Sequence, residues 1–162
     1  MDALIDTMEG VENARWQDEE QMHLTLRFAG NVSERVAEDL ALGLARVEVR
    51  PFALTVSGAG HFERKGLVHS IWAGVEPAEE LLALQRRVDR VCQALGLESD
   101  HKRYTPHLTL ARFSRHSMDI PAWLARHAAL AIAPFQVEGF ALYESHLSDA
   151  PARYEELARF GV

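Results

Sequence analysis

The tetrapeptide HLTL occupies residues 23–26 and recurs at residues 107–110. Each copy is followed by an arginine and a phenylalanine, directly in the first copy and after one additional alanine in the second. Alternate residues of a β-strand share a face, so the histidine and threonine of each copy point one way and the leucines the other. The repeat therefore predicts two strands that bury their leucines and present an imidazole beside a hydroxyl.

This pairing of residue types suits phosphate chemistry. The ordinary pKa of histidine, about 6.5, allows it to act as acid or base near neutral pH. If two half-domains face each other across a pseudo-two-fold axis, both His-Thr pairs line one cleft. One histidine can then be protonated and the other neutral, while an imidazolium and an arginine offset developing charge without a metal ion. A single histidine in a strand is more often structural, and the repeated threonine favours catalysis.

The rest of the chain predicts strands alternating with helices. Residues 77–95 have the clearest helical periodicity, and Ser33 is suited to cap a helix that runs to about Arg46. Asp119 and Pro121 open a shorter helix that ends near Leu130. The predicted strands are residues 14–17, 21–29, 47–57, 67–75, 106–113, 135–147 and 152–160, the last two forming an antiparallel pair. The glycines at 58–60 predict the end of one strand.

Composition restricts the class of protein. The 162 residues are 48% apolar and 25% charged, which is typical of one globular domain or of two half-domains sharing a core. A net charge of −7 argues against a protein that coats nucleic acid. Residues 101–116 nevertheless contain four basic side chains and no acidic one, so a local basic site can attract a phosphate-bearing end.

Several absences in the sequence lead to further expectations. No apolar run approaches the length of a membrane span, and the first residues lack the basic flank of a secretory signal. The single cysteine, Cys92, cannot form an internal disulfide, which fits a cytoplasmic protein. The six histidines outside the repeat have no metal-ligand spacing. We therefore expect no membrane partner, no metal site and no cofactor.

With its two HxT motifs, the sequence resembles the 2H phosphoesterase superfamily, and within it the RNA 2′,3′-cyclic phosphodiesterases, once described as 2′-5′ RNA ligases. The supporting stretches are WQDEEQMHLTLRFAGNV, RPFALTVSGAGHF, IWAGV and RYTPHLTLARF, and the similarity runs over nearly the whole chain. The resemblance implies an α+β fold with one bilobed domain over residues 1–162. In that fold, two antiparallel sheets are related by a pseudo-two-fold axis around a central cleft, with helices outside.

The resemblance also implies the reaction and its residues. A 2′,3′-cyclic phosphate on RNA or on a nucleoside is hydrolysed to a 2′-phosphate, and no protein partner is implied. His23 is the implied proton donor to the leaving 3′-oxygen, and His107 the implied proton acceptor that activates water. Thr25 and Thr109 hold the phosphate. The repeat is symmetric, so the residues by themselves leave the two histidine roles interchangeable.

Arginines and aromatic residues complete the implied substrate site. Arg112 resembles a family arginine that approaches the phosphate. It lies five residues after His107, however, so strict alternation points it to the opposite face unless a bulge or the strand end redirects it. Otherwise it is a surface charge, and Arg27, which is in phase with His23, competes for the role. Phe62 and Trp72 are candidates for stacking on bases, although Trp72 fits a core position equally well. The phenylalanine that follows each repeat is expected in the core.

Two further functions and one structural expectation stay open. The same residues can catalyse RNA ligation, in which a 5′-hydroxyl replaces water. A non-catalytic RNA- or nucleotide-binding module is the other alternative, and two titrating groups argue against it. The family has a strand and a full helix before its first motif, whereas residues 1–22 provide only part of them. The usual first strand is therefore expected to be absent, its position in the sheet being vacant or filled by a partner.

Overall fold

A computed structural model describes residues 2–98, 103–146 and 153–161, and they form both helices and sheets. The helices are α1 (Asp2–Ile5), α2 (Glu34–Leu44), α3 (Glu79–Ala94) and α4 (Ile120–His127), with a 3₁₀ turn at Glu19–Gln21. The strands are β1 (Arg15–Trp16), β2 (Phe52–Arg64), β3 (Leu67–Val75), β4 (His107–Arg112), β5 (Ala131–Val137), β6 (Gly139–His146) and β7 (Arg153–Gly161). The predicted α+β class is confirmed.

The strands form two sheets in the described part of the chain. A five-stranded sheet has the order β1-β4-β3-β2-β5, and β6 pairs with β7 in a separate antiparallel sheet. Strands β2 and β3 are joined by Lys65-Gly66, whose φ angles are 54° and 75°. Positive φ at both central residues is the geometry of a type I′ turn, whose twist matches that of antiparallel strands. This turn fixes the register of the hairpin that carries the aromatic residues of the candidate site.

The chain divides into two compact units. Unit 1 comprises Met1–Leu24, Leu54–Glu76 and Pro106–Phe135. One face of its sheet is a core of fully buried side chains that include Ile71 and Leu110, and the buried Trp123 of α4 belongs to the same core. The ring of Trp123 lies 6.3 Å from that of Trp16, and its indole N–H donates to the carbonyl of Thr7 at 2.8 Å. These contacts tie the first residues of the chain to α4.

Unit 2 comprises Thr25–Ala53, Pro77–Thr105 and Gln136–Val162. The helical periodicity of residues 77–95 places Leu81, Leu84, Val88, Val91 and Leu95 on one face. Helix α3 buries the first three of these together with Cys92, while Val91 and Leu95 are half-buried. Helix α2 begins at the predicted cap, where the hydroxyl of Ser33 accepts from the backbone N–H of Val36 at 3.4 Å. The two helices pack closely, since a Cβ at Gly43 would lie 2.7 Å from a methyl carbon of Val91.

Most predicted elements are confirmed with small changes at their ends. The three helices lie within the predicted ranges, the strand at 67–75 is confirmed over its full length, and those at 14–17 and 106–113 are each confirmed in a shorter form. The region predicted as the first closing strand contains two strands, β5 and β6, and the second closing strand pairs antiparallel with β6. Residues 147 and 152, at the ends of those predictions, lie outside the described residues. So do His101 and Lys102 of the basic stretch.

Two predictions for strands are wrong. Residues 21–29 do not form a strand, because the 3₁₀ turn through Gln21 directs the chain away from the sheet until Leu24, which makes a single bridge to Leu108. The glycines at 58–60 do not end β2, which continues to Arg64. Gly58 instead takes a φ of 72° where the register with β3 shifts, so the glycines accommodate a bulge.

Candidate active site

The second HxT motif lies on β4, in the interior of the five-stranded sheet. In the register with β3, His107 is opposite Gly74 and Thr109 is opposite Trp72. Residues directly opposite each other on neighbouring strands share a face. The histidine, the threonine and the indole therefore belong to one face of unit 1, while the first leucine of the motif is opposite the fully buried Ala73 on the other face.

A bulge in β4 brings Arg112 to the face that carries the motif. The register with β3 shifts by one residue after Thr109, and Leu110 is the additional residue. Leu110 and Ala111 are consecutive and both completely buried, in line with a bulge that turns two successive side chains toward the core. Arg112 is then opposite Ser70, which lies two residues from the partner of Thr109 and so on the same face. A bulge of the kind that the sequence analysis considered for Arg112 is therefore present in β4.

The rings of Phe62 and Trp72 lie against His107 of the second motif. Phe62 approaches His107 edge-on, with ring centroids 4.8 Å apart and planes at 84°. Trp72 lies 5.8 Å from His107 and 5.4 Å from Phe62. The indole lies over Gly60, where a Cβ would collide with it. Within the described residues, the buried indole N–H has no acceptor, so packing rather than hydrogen bonding fixes this ring.

The first motif lies next to β4 without forming a strand. Gln17 donates its backbone N–H to the carbonyl of Leu110 at 2.8 Å, and after the 3₁₀ turn the chain returns to β4 at the bridge between Leu24 and Leu108. The bridge is antiparallel, so the residue before Leu24 is level with the residue after Leu108. This arrangement brings the backbone of His23 close to the second motif within unit 1.

The ring of His23 is oriented by a backbone carbonyl. Its Nδ1 lies 2.7 Å from the carbonyl oxygen of Gln21, which can only accept, so Nδ1 carries a proton and Nε2 is the nitrogen that can exchange one. The supporting turn is closed by a reciprocal pair. The Asp18 carboxylate accepts from the backbone N–H of Gln21 at 3.0 Å, and the Gln21 side chain accepts from that of Asp18 at 3.3 Å. His23 is exposed above this turn.

Thr25, the threonine of the first motif, belongs to unit 2 and is supported from there. The hydroxyl of Tyr104 donates to the backbone carbonyl of Thr25 at 3.1 Å. Burial raises the pKa of Tyr104 to about 12, so the hydroxyl keeps its proton throughout the physiological range. Tyr104 is close to the second motif in the sequence, but its hydrogen bond supports the backbone of the first motif.

Arg27 has a structural role that removes it as a competitor of Arg112. Its Nε donates to the Asp89 carboxylate at 2.7 Å, and its other nitrogens donate to the carbonyls of Phe28 and Glu98. Only 8% of its side chain is exposed. The guanidinium therefore ties three segments of unit 2 together. The expectation that Phe28 is a core residue is wrong, because this side chain is 66% exposed.

The sequence interpretation missed two supporting residues, Gln21 and Tyr104. A signal for the first existed in the spacing of Asp18 and Gln21, which matches a capping box. Tyr104 stands in the stretch RYTPHLTLARF, but its bond to a distant carbonyl has no local signature. Over the described ranges, no three His, Cys, Asp or Glu side chains converge as metal ligands, and no helix is long and apolar enough to span a membrane.

Known proteins are similar to this chain in sequence and in fold. The sequence profile of the 2′-5′ RNA ligase superfamily matches residues 3–149. An RNA 2′,3′-cyclic phosphodiesterase of Geobacillus stearothermophilus is 31% identical over 147 residues, which are 90% of this chain and 46% of that protein. One of Archaeoglobus fulgidus is 27% identical over 157 residues, which are 97% of this chain and 89% of that protein.

The fold agrees with the same relationship. The crystal structure of TT0787 of Thermus thermophilus superimposes with a TM-score of 0.79 and 28% identity, over 99% of this chain and 90% of that one. The protein described here is therefore a 2H phosphoesterase in fold. It belongs to the 2′-5′ RNA ligase superfamily, and the resemblance drawn from its two HxT motifs is confirmed. The chain spans about half the length of the Geobacillus relative.

Proposed function

We propose that this protein is an enzyme that hydrolyses the 2′,3′-cyclic phosphate of RNA ends or nucleosides to a 2′-phosphate. The observation that carries the proposal is the face of unit 1 on which His107, Thr109 and Arg112 come together through the bulge in β4, with His23 on the adjoining segment. The names of the Geobacillus and Archaeoglobus relatives support this substrate class. The free, buried Cys92 is in line with a cytoplasmic location.

In the proposed reaction, each histidine moves one proton. His107 takes a proton from water as the water oxygen forms a bond to phosphorus. The bond between phosphorus and the 3′-oxygen breaks, and the leaving oxygen receives a proton from Nε2 of His23. The product has a 2′-phosphate and a free 3′-hydroxyl. The hydrogen bond from Nδ1 of His23 to the Gln21 carbonyl supports this assignment, because it leaves Nε2 as the nitrogen that exchanges protons.

The other site residues stabilise charge and position the substrate. The hydroxyl of Thr109 donates to a non-bridging phosphoryl oxygen. The guanidinium of Arg112 offsets the charge that develops on the equatorial oxygens. With the His23 imidazolium, these donors supply the stabilisation that a metal ion gives in other phosphoesterases. The rings of Phe62 and Trp72 hold His107 and offer an apolar surface to the nucleoside.

A turnover assay with product analysis tests the proposal. Cytidine 2′,3′-cyclic phosphate is incubated with the protein, with and without EDTA, and the 2′- and 3′-phosphates are separated by chromatography. We expect cytidine 2′-phosphate, at a rate unaffected by EDTA. A 3′-phosphate product contradicts the role of His23 as donor to the 3′-oxygen, and loss of activity in EDTA that added metal restores contradicts the metal-independent reaction. The matched control is His107→Gln, which preserves the shape of the site.

A further inference from the structure

A basic pocket of about 410 Å³ lies in unit 1 at the tip of the β2–β3 hairpin. We call it the hairpin pocket. Its polar and aromatic lining comes from Arg64, His69, Phe113, Ser114, Arg115 and His116. Two of these residues belong to the hairpin and four follow β4, so segments that are remote in sequence form it together. None of the six is used in the proposed reaction.

A further bulge, in β3, contributes to this pocket. Phe62 is opposite Ser70 and Glu63 is opposite Val68, so His69 is the additional residue of β3. The backbone N–H of Phe113 donates to the carbonyl of His69 at 3.0 Å, which joins the segment after β4 to the hairpin. The tight Lys65-Gly66 turn closes the hairpin immediately beyond the pocket. Arg64 and His69 are therefore held on paired strands, and the bond from Phe113 to His69 anchors the segment that carries Arg115 two residues further on.

The hairpin pocket lies beside the candidate active site. The ring of His69 stacks on Phe62, with centroids 6.2 Å apart and planes at 23°. The ring of Phe62 in turn contacts His107 at 4.8 Å. A single aromatic ring thus separates the pocket from the second HxT motif. An RNA chain whose end lies at His107 can therefore extend into the pocket.

The charge and chemistry of the pocket fit a single-stranded nucleic acid. Arg64 and Arg115 are exposed, and neither has a carboxylate partner in the part of the chain that the structure describes. The carboxylate next to Arg64 in sequence, Glu63, lies 3.9 Å from His61 instead. Guanidinium groups bind phosphates, and aromatic rings such as Phe113 stack on unpaired bases. This combination occurs here on a protein whose net charge is −7.

We propose that the hairpin pocket binds the ribose-phosphate backbone of the RNA chain whose cyclic phosphate lies at His107. The proposal rests on the proposed function and adds to it a binding site for the part of the RNA upstream of the reacting end. The preferred substrate is an oligoribonucleotide with a 2′,3′-cyclic phosphate end, and a nucleoside cyclic phosphate occupies only part of the available site. Arg64 and Arg115 contact phosphates upstream of the reacting end.

The test compares two substrates in two double variants. Substrates are cytidine 2′,3′-cyclic phosphate and a six-nucleotide RNA with the same cyclic end. The variants are Arg64→Gln with Arg115→Gln, and Arg46→Gln with Arg90→Gln. The second pair lines a pocket of similar size, about 430 Å³, in unit 2, and changes the net charge by the same amount. It therefore controls for long-range attraction of the RNA by the protein charge.

We expect the hairpin-pocket variant to lose about tenfold in kcat/KM for the six-nucleotide RNA and nothing for the mononucleotide, because each lost phosphate contact weakens only the longer substrate. The slope of log kcat/KM against log salt should fall by about 0.7 for each lost contact. The unit 2 variant should match the wild type. Equal losses with both substrates, no loss with either, or equal losses in both variants overturn the proposal.

Equilibrium binding separates this proposal from the proposed function. Fluorescence anisotropy measures the affinity for a 5′-labelled six-nucleotide RNA with a 3′-phosphate, which cannot react. If the hairpin-pocket variant binds this RNA more weakly than the wild type does, the RNA site is supported. If the wild type also fails to hydrolyse a cyclic phosphate, only the proposed reaction is contradicted. Unchanged binding in this variant, with cyclic phosphate hydrolysis intact, overturns the RNA site alone.

Discussion

The two copies of HLTL have the same four residues and different backbone structures. Residues 107–110 lie in β4, which pairs with β3 on one side and β1 on the other. Residues 23–26 follow a 3₁₀ turn and have only one bridge, at Leu24. A strand forms where a neighbouring strand offers a continuous run of hydrogen bonds, and residues 23–26 have one bridge only. The tetrapeptide therefore does not by itself determine whether it is paired in a sheet.

The two histidines are consequently held in different ways. His107 is half-buried against the rings of Phe62 and Trp72, so packing fixes it. His23 is exposed, and a hydrogen bond to the Gln21 carbonyl fixes its tautomer. A symmetric sequence thus gives an asymmetric pair, in which His107 packs against two aromatic rings and His23 is hydrogen-bonded to a backbone carbonyl.

The largest effect is expected from removing either histidine. His107→Gln and His23→Gln should each lower kcat/KM by about 10²–10⁴, because each removes one proton transfer. The pH dependence should distinguish them. The reaction needs a neutral acceptor and a protonated donor, so His107→Gln removes the acidic limb of the kcat/KM profile and His23→Gln the alkaline limb. Initial rates over a range of pH give the profiles, and circular dichroism verifies that both variants fold.

Loss of the same limb in both variants contradicts the division of roles. A double variant provides a further check. If the histidines act in one step, removing the second should cost far less than removing the first. Two fully multiplicative losses would mean that the histidines act in separate steps.

A second comparison concerns the arginines that follow the motifs. Arg112→Gln should lower kcat/KM by about 10²-fold and leave the thermal unfolding midpoint unchanged, because the side chain is exposed and acts on charge in the transition state. Arg27→Gln should do the reverse. It removes the guanidinium from the Asp89 carboxylate, to which the Gln93 amide still donates, and lowers the free energy of unfolding by about 1–3 kcal/mol. Initial rates and thermal unfolding curves of both variants test whether Arg112→Gln affects mainly the rate and Arg27→Gln mainly the stability.

The arginines also show what a sequence can predict. Both follow their motif, and alternation alone favoured Arg27 as the phosphate ligand, because it is in phase with His23. The extra residue in the second copy was visible in the sequence, but the bulge at Leu110 that accommodates it depends on which strand pairs with β4. The ion pair of Arg27 depends on Asp89, on a helix far along the chain. Local sequence patterns predicted most secondary-structure elements and the candidate residues. Which candidate residues share one face depends on strand pairing and on side chains that are distant in the sequence.

A smaller effect is expected from the turn that supports His23. Asp18→Ala removes the side-chain acceptor for the Gln21 N–H and leaves the backbone carbonyl of residue 18 as its acceptor, so the turn should lose about 1 kcal/mol of stability. The carbonyl that orients His23 then becomes less fixed, and kcat should fall about threefold to tenfold with KM unchanged. Asp18→Asn keeps an acceptor and should restore most of the rate. Steady-state kinetics of the two variants measures the difference, and equal rates in both would contradict a positioning role for the turn.

The smallest effect is expected from Tyr104→Phe, which removes the donor to the Thr25 carbonyl and should cost about 0.5–1.5 kcal/mol of stability at pH 8. Burial raises the pKa of Tyr104 to about 12, so the folded state favours the protonated hydroxyl. This contribution is complete below the unfolded-state pKa of about 10 and is lost as pH rises toward 12. The wild type should therefore lose its advantage over the variant between pH 10 and 12, because phenylalanine does not titrate. Urea unfolding at pH 8 and at pH 11 measures the difference, and an advantage that stays constant would show that the hydroxyl is not held in its protonated form by the fold.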